Sequence, residues 1–254
     1  MSGKFYHTSP TPANHEPPRT PSRDQIWLMF DRIAGKYDLL NHLLSFGIDF
    51  YWRRKLARSL PAAENLVLLD LATGTGDQLI SLLTHNKHIK HAVGADPSIQ
   101  MLAIAEKKIR KRGFNDRIKL ETGGADHIKY PDHTFDAITI SFGIRNFAEL
   151  EISLHEIRRV LKPDGRLLIL EFSLPRNKII RTLHLFYLRK ILPRIGTCIS
   201  GNSFAYHYLN ETIETFPAGD SFCSILNKTG FNKIRANPLT WGIVTIYQAE
   251  KSNG

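Results

Sequence analysis

Short apolar segments alternate with amphipathic ones through the middle of the chain, and this alternation restricts its fold more than any other feature. Strands are predicted at the apolar runs 66–71, 91–95, 118–121, 135–141 and 166–172. Helices are predicted between them, and 98–112 is the clearest, because Ser98 is a suitable N-cap and Gly113 follows its end. Strands joined through helices need crossover connections, so we expect a parallel sheet with helices on both faces.

Other patterns flank this alternation. Residues 1–23 are Pro- and Ser-rich and predict a disordered tail. Residues 24–60 predict a helical segment on the substrate side of the main domain at 61–254, with a second helix near 50–59 whose outward-facing residues are Arg53, Arg54 and Arg58. Residues 173–209 lack a strand pattern and predict an insertion over the open end of the sheet, either a basic lid or a membrane-facing segment.

The loop after the first strand carries the strongest chemical signal. The strand at 66–71 runs into two glycines, Gly74 and Gly76, and then into a helix, so backbone N–H groups approach a ligand closely. The third glycine of a dinucleotide-binding loop is absent, and Asp77 puts a carboxylate where a pyrophosphate needs positive charge. S-adenosylmethionine (SAM), with an amino-acid tail and a sulfonium, fits better. By analogy with enzymes that bind this cofactor, we predict an α/β, Rossmann-like class I SAM-dependent methyltransferase fold, with a seven-stranded mostly parallel sheet and a C-terminal antiparallel hairpin near 231–249.

The residues at the ends of the strands are the candidates for holding this cofactor. From the pattern alone they are Asp70, Gly74, Gly76, Asp96, Gly124, Ala125 and Ser141. Asp96 ends the second strand and can accept both ribose hydroxyls, although it can also cap the helix that follows. Gly124 and Ala125 either meet the adenine edge or form a simple turn. Ser141 either lies beside the transferred methyl group or is an ordinary strand-end serine.

Motifs on either side of the cofactor loop are more specific. The segments are FDRIAGKYDLLN at 30–41, ISFGIRN at 140–146, RVLKPDGR at 159–166 and LEFS at 170–173. Together they resemble the signature motifs of the ubiquinone/menaquinone (demethylmenaquinone) C-methyltransferase family, and the resemblance extends over about residues 26–250.

This resemblance implies methyl transfer to a ring carbon of a polyprenylated hydroquinone, either demethylmenaquinol, the benzoquinol of the ubiquinone pathway, or both. It also implies cofactor contacts from Thr75, Asp96, the Gly124–Ala125 pair and Ser141. The family usually has Asn where this chain has Gly124, so one side-chain contact on the adenine side is missing, and a backbone amide would have to replace it.

A hydroquinone carbon becomes nucleophilic when a neighbouring phenol loses its proton, and such phenols titrate near the ~10 of a tyrosine side chain. Arg145 is the candidate cation that favours the phenolate, and Asn146 would fix the ring oxygen. Arg145 is not itself a base, because guanidinium stays charged. Further candidates for the substrate pocket are Tyr37, Asp38, Asn41, Tyr206 and Tyr208, although Tyr37 also lies on an apolar helical stripe.

The chain has a net charge of +10, which suits polyanions or anionic lipid surfaces. Six basic residues and no acidic one fall within 173–210, so peripheral contact with an anionic membrane at its cytoplasmic face is one expectation and a solvated lid is the other. No apolar run approaches the ~18–20 residues that span a bilayer. We expect no metal, because His85, His88 and His91 recur without a supporting cluster.

Rival functions remain open at this point. The basic charge would suit an RNA methyltransferase, but the chain has no Asn/Asp-Pro-Pro-Tyr motif and no Pro-Cys nucleophile, so we expect no nucleic-acid partner. Two more rivals are a methyltransferase for a different small molecule and a catalytically silent scaffold that binds the cofactor or a lipid. The sequence leaves homo-oligomerisation open.

Overall fold

A computed structural model describes residues 23–201 and 203–252, so the predicted tail lies outside the described residues except for Arg23. The helices are α1 Arg23–Leu44, α2 Ile48–Ala57, α3 Asp77–His85, α4 Ile99–Lys111, α5 Leu150–Val160, α6 Lys178–Phe186, α7 Leu192–Ser200, α8 Ser203–Thr215 and α9 Asp220–Lys228. The strands are β1 Leu66–Leu71, β2 Ile89–Asp96, β3 Ile118–Thr122, β4 Phe135–Ser141, β5 Leu161–Phe172, β6 Phe231–Leu239 and β7 Val244–Lys251. A 3₁₀ turn at Ile144–Asn146 follows β4, and a π-helical turn at Tyr187–Ile191 joins α6 to α7.

The strands form one seven-stranded sheet in the order β3-β2-β1-β4-β5-β7-β6. Neighbouring strands from β3 to β5 pair in parallel, whereas β7 is antiparallel to both β5 and β6. This confirms the predicted α/β class and the terminal antiparallel hairpin. The strand order reverses between β1 and β4, and in open α/β sheets ligands bind beyond the carboxyl ends of the strands at such a point.

The central strands β1 and β4 are buried on both faces, which explains why they are continuous apolar runs instead of alternating ones. One apolar cluster, including Leu69, Ile138 and Phe222, packs under α5 and α9. A second, including Leu68 and Leu79, packs under α2, α3 and α4. The two clusters hold the carboxyl ends of β1 and β4 rigidly beside each other.

The strand β5 begins earlier than the predicted residue 166. Leu161 already pairs with Phe135, so the turn at 162–165 lies inside the strand, and Asp164 takes a positive φ of 58° there. The preceding helix accordingly ends at Val160. A turn signal within a long strand is read as a boundary when only the sequence is considered.

The prediction for α2 was wrong at one residue. Arg54 and Arg58 are exposed as expected, but Arg53 is buried and only 8% exposed. The helix is covered on more than one side, because it packs on α3 and β5 and also contacts α1. A pattern with one apolar stripe therefore underestimates how much of α2 is buried.

The segment 173–209 folds into α6, the π-helical turn, α7 and the first half of α8. With α1 it encloses a small separate core that includes Leu40, Leu188, Leu192 and Ile213. None of the described helices combines the length and the apolar character needed to cross a membrane.

Candidate active site

Two cavities open beyond the carboxyl ends of β1 and β4. The first cavity, of about 100 Å³, is bounded by the loops that follow β1, β2, β3 and β4. The second cavity, of about 510 Å³, lies between α1, α2 and the helices of the 173–209 segment. Tyr37 and Phe142 line both cavities and therefore mark the place where they meet.

The two glycines of the loop after β1, Gly74 and Gly76, have different structural roles. Gly74 lines the first cavity with a φ of 56°, and a Cβ there would point into open space, so its backbone is accessible to a ligand. Gly76 has a φ of 81°, does not line the cavity, and a Cβ there would lie 3.1 Å from the Cβ of Ala105. Gly76 thus allows the loop to pack closely against α4.

Asp70 lies behind the loop and not in the cavity wall. Its two carboxylate oxygens accept hydrogen bonds from the Thr73 hydroxyl, at 2.7 Å, and from the Thr139 hydroxyl, at 2.5 Å. Burial raises the pKa of Asp70 to about 6 in spite of these bonds. The carboxylate therefore connects the loop to β4 and fixes the position of Thr73, the residue before Gly74.

Asp96 is the polar group best placed to hold a ligand in the first cavity. Its Oδ2 accepts a hydrogen bond from the backbone N–H of Gly74 at 2.8 Å, and its Oδ1 accepts one from that of Ser98 at 2.9 Å. Burial raises the pKa of Asp96 to about 6. A carboxylate has about four acceptor positions, so after these two bonds it retains capacity for a diol.

Gly124, Ala125 and Ser141 also line the first cavity. Met101 and Pro97 add apolar surface on the same side, as a flat heterocycle requires. The Ser141 hydroxyl donates to Oε1 of Gln78 at 3.1 Å, so this serine is tied to α3 at the end of β4.

Thr75 and Asp38 line neither cavity, and they bind each other. The Thr75 hydroxyl donates to Oδ1 of Asp38 at 2.5 Å, and Lys108 Nζ donates to Oδ2 of the same carboxylate at 2.7 Å. Lys108 also pairs with Asp77 at the start of α3. Asp38 therefore anchors α1 to the cofactor loop and to α4. These contacts join segments that are distant in the sequence, and Asp38 does not line the predicted substrate pocket.

Arg145 lies in the wall of the second cavity with its side chain only 6% exposed. Its Nη1 donates to Oε1 of Glu171 at 2.6 Å and to the carbonyl oxygen of Phe142 at 2.7 Å. The Glu171 side chain is fully buried, so the two residues form a desolvated ion pair. Arg145 is held rigidly, and much of its charge is balanced within the protein.

Asn146 lines the first cavity and Tyr208 the second, and a hydrogen bond connects them. The Tyr208 hydroxyl donates to Oδ1 of Asn146 at 3.0 Å, which leaves the Asn146 amide N–H groups as donors. Burial raises the pKa of Tyr208, so its hydroxyl stays protonated. Asn41 and Tyr206 also line the second cavity, and the Tyr206 ring lies where a side chain on Gly196 would have to be.

Phe142, which the sequence reasoning missed, divides the two cavities. It has a positive φ of 59°, and Ala72 opposite has one of 52°, a conformation that costs of order 1–3 kcal/mol for a residue with a side chain. The strain lets Gly143 approach Ala72 so closely that a Cβ on Gly143 would lie 2.5 Å from the Ala72 Cβ. The Phe-Gly pair that follows Ser141 was the feature of the sequence that could have indicated this close approach.

The residues of the first cavity fit SAM. Asp96 offers a buried acceptor for a ribose diol, the Gly74 backbone offers an open cradle, and Met101 and Ala125 offer apolar surface for an adenine ring. With the strand order of the sheet, these features define the chain as a class I SAM-dependent methyltransferase. Its methyl donor is S-adenosylmethionine.

Comparison with known proteins identifies the particular group. The model of the "ubiE/COQ5 methyltransferase family" matches residues 20–251, and this chain belongs to that family. A ubiquinone/menaquinone biosynthesis C-methyltransferase UbiE from Syntrophotalea carbinolica is 44% identical over 224 residues, which cover 88% of this chain and 93% of the relative. A demethylmenaquinone methyltransferase from Thermus thermophilus is 42% identical over 223 residues, which cover 88% and 100%.

Solved structures support the fold. A SAM-dependent methyltransferase from Thermotoga maritima aligns with a TM-score of 0.63 at 17% identity, covering 89% of this chain and 100% of the other. Family and fold together establish a SAM-dependent C-methyltransferase, as the sequence predicted, and they disfavour both the silent scaffold and the RNA methyltransferase.

Proposed function

We propose that this chain transfers the methyl group of SAM to a ring carbon of a polyprenylated hydroquinone, demethylmenaquinol or the corresponding benzoquinol of ubiquinone synthesis. The observation that carries the proposal is the second cavity, about 510 Å³ in volume, which meets the first cavity at Phe142 and has Arg145 in its wall. A ring with a long apolar tail needs such a cavity. The names of the relatives, which specify quinone biosynthesis, support the same substrate class.

SAM supplies an electrophilic methyl group on a sulfonium. The protein has to align the ring carbon with it and raise the nucleophilicity of that carbon, and alignment alone accounts for up to roughly 7–11 kcal/mol of such barriers. Arg145 is held by Glu171 and by the Phe142 carbonyl, so its remaining N–H groups present a fixed donor to one ring oxygen. A hydrogen bond to the ionised hydroxyl favours that form.

Asn146 is placed to orient the same oxygen. Its amide oxygen is occupied by the Tyr208 hydroxyl, so the amide N–H groups are the ones free to donate across the boundary between the cavities. Tyr37 and Asn41, from α1, would close the pocket over the ring, and Tyr206 would line the path of the prenyl chain. Closure by α1 excludes water, which strengthens each of these interactions.

The proposed function is tested with SAM labelled in its methyl group. Purified protein is incubated with reduced demethylmenaquinol, with the demethyl benzoquinol, and with RNA, in parallel. We expect label on a ring carbon of at least one quinol and none on RNA, and the ratio of the two quinols reports the preference. Label on RNA alone, or on no acceptor while SAM binds, would contradict the proposal.

We infer further that the mouth of the second cavity contacts an anionic membrane, from which a prenylated substrate would enter. Four side chains that line this cavity are also exposed at the surface, Phe46, Ile48, Leu183 and Trp241. Exposed basic residues lie on the helical segment that carries Leu183: Lys178, Arg181, Lys190 and Arg194. Apolar side chains beside cations are typical of surfaces that insert into the headgroup region of a bilayer.

Flotation with vesicles containing phosphatidylglycerol tests this contact. The protein should float at low salt and lose binding as salt is raised, and Leu183→Glu should weaken flotation. Ile152→Glu is the matched control, because Ile152 is also exposed but lies on α5 and lines neither cavity. Equal loss in both variants, or no flotation of the unmodified protein, would refute the membrane contact.

A further inference from the structure

Arg53 is a second cation in the wall of the second cavity. It lies on α2, its side chain is 9% exposed, and its guanidinium carbon is 5.4 Å from the centre of the Phe142 ring. Among residues 23–201 and 203–252 its guanidinium makes no hydrogen bond, and its buried Nε has no hydrogen-bond partner. Burying a charge without hydrogen bonds costs free energy, and a bound ligand that accepts hydrogen bonds from Arg53 would reduce this cost.

The charge of Arg53 is less well balanced than that of Arg145. Arg145 donates directly to Glu171 at 2.6 Å. Arg53 Nε is 3.7 Å from Oδ2 of Asp49, too far for a hydrogen bond. That carboxylate is already engaged by two other groups, the His42 ring nitrogen at 2.7 Å and the Ser45 hydroxyl at 2.8 Å.

Each of the two cations lies against a different ring of a pair of neighbouring aromatic side chains. Arg53 is over Phe142 and Arg145 is over Phe172, at 5.6 Å from the ring centre. The centres of those two rings are 4.6 Å apart. A small aromatic ring with oxygens at opposite ends is the kind of ligand that two separated donors around an apolar floor would hold.

We propose that Arg53 binds the second oxygen of the substrate ring, opposite the oxygen at Arg145, and that its positive charge, which makes no direct hydrogen bond to a carboxylate, favours the ionised hydroxyl. This inference rests on the proposed function, since it needs a dioxygenated ring in the second cavity. It divides the work between the two arginines. Arg145, bonded directly to Glu171, orients the ring and donates to one oxygen, and Arg53, whose Nε is 3.7 Å from Asp49, adds positive charge at the other oxygen.

Other charged groups act on the same region. The helix α2 itself contributes Asp49, and the elements packed against it, together with the strand ends, contribute His42, Asp70, Asp77, Arg145 and Glu171. Across the cavity His184 is buried, and burial lowers its pKa, so it stays uncharged near neutral pH. A measurement that follows ionisation of the ligand itself avoids confusion with these groups.

The test uses 4-methoxy-1-naphthol, which has one ionisable hydroxyl and an ether oxygen at the opposite position. Its phenolate absorbance is titrated against pH with the protein and S-adenosylhomocysteine present. We expect the bound naphthol to have a pKa about one unit or more below its value in water, because an opposite charge nearby lowers such a pKa by about 1–3 units. In Arg53→Met and Arg53→Gln about one unit of this depression should disappear, and Arg53→Lys should restore most of it.

Arg54→Met is the matched control, because Arg54 is the next residue on α2 and is exposed. It should behave as the unmodified protein does, and unchanged affinity for S-adenosylhomocysteine shows that each variant is folded. If both neutral Arg53 variants keep the full depression while the unmodified protein methylates a quinol, only this inference is wrong. If the unmodified protein neither binds the naphthol nor methylates a quinol, the proposed function is wrong as well.

Discussion

The pKa of Asp96 gives a quantitative prediction for cofactor binding. Burial raises this pKa to about 6, and the carboxylate already accepts two backbone hydrogen bonds. Only the ionised form can accept both hydroxyls of a ribose, because a protonated carboxyl uses one position as a donor. With a pKa of about 6, roughly a tenth of the Asp96 side chains are ionised at pH 5 and nearly all at pH 7. The Kd for S-adenosylhomocysteine should therefore be about tenfold higher at pH 5 than at pH 7, which corresponds to a loss of about 1.4 kcal/mol of binding free energy.

Isothermal titration calorimetry between pH 5 and pH 8 measures this dependence. The Kd should rise as pH falls through 6 and be flat above 7, and near pH 6 the binding enthalpy should depend on the buffer, because binding releases a proton from Asp96. Asp96→Asn should bind more weakly and without the slope. Asp70 also has a pKa of about 6, so a slope that persists in Asp96→Asn would assign the titration to Asp70 and refute this reasoning.

Three further perturbations have defined outcomes. Arg145→Lys keeps a charge beside the buried carboxylate but loses the guanidinium fork, so kcat should fall about 100-fold while the Kd for S-adenosylhomocysteine is unchanged; normal turnover would refute its role. Gly94→Ala would place a Cβ 2.5 Å from Leu79 Cδ1, so thermal or denaturant unfolding should show a loss of about 1–3 kcal/mol, and an unchanged stability would contradict the packing. Asp38→Asn breaks a partly exposed ion pair with Lys108, so global stability should change by less than about 1 kcal/mol, but α1 should be cleaved faster in limited proteolysis; equal cleavage rates would show that Asp38 is not its anchor.

The sheet was predictable because its strands are short, apolar and punctuated by turn residues. The bounds of β1 and β4 agree with the prediction, and Ser98 caps α4 by accepting from the N–H of Met101 as expected. These features depend on neighbours within a few residues along the chain. Apolar strands that alternate with helices then favour a parallel sheet covered on both faces.

The parts that could not be predicted depend on contacts between distant residues. Asp38 was expected in the substrate pocket, but Thr75 and Lys108 hold its carboxylate across 37 and 70 positions of the chain. Arg53 was expected at the surface because the sequence of α2 shows only one apolar stripe and Arg53 lies outside it, but the residue is buried. The division of the 173–209 segment into several helices was not predicted for another reason, since the π-helical turn at Tyr187–Ile191 interrupts the 3.6-residue period.

The residues that line the candidate site were predicted more completely than the contacts between them. Gly74, Asp96, Gly124, Ala125 and Ser141 all line the first cavity, and these positions follow from the ends of the strands. The sequence could not reveal that Phe142 separates two cavities, because this depends on a strained backbone conformation. It also could not reveal the Arg145–Glu171 pair, which joins two strand ends only after folding.

The most direct test of the central claim is a crystal structure of the protein with S-adenosylhomocysteine and a short-chain demethylmenaquinol bound together. The account predicts the ribose on Asp96, the sulfur beside Ser141, and the quinol ring in the second cavity between Arg53 and Arg145, with its methyl-accepting carbon directed past Phe142 toward the sulfur. A quinol ring bound outside the second cavity, or a cofactor that does not contact Asp96, would contradict it.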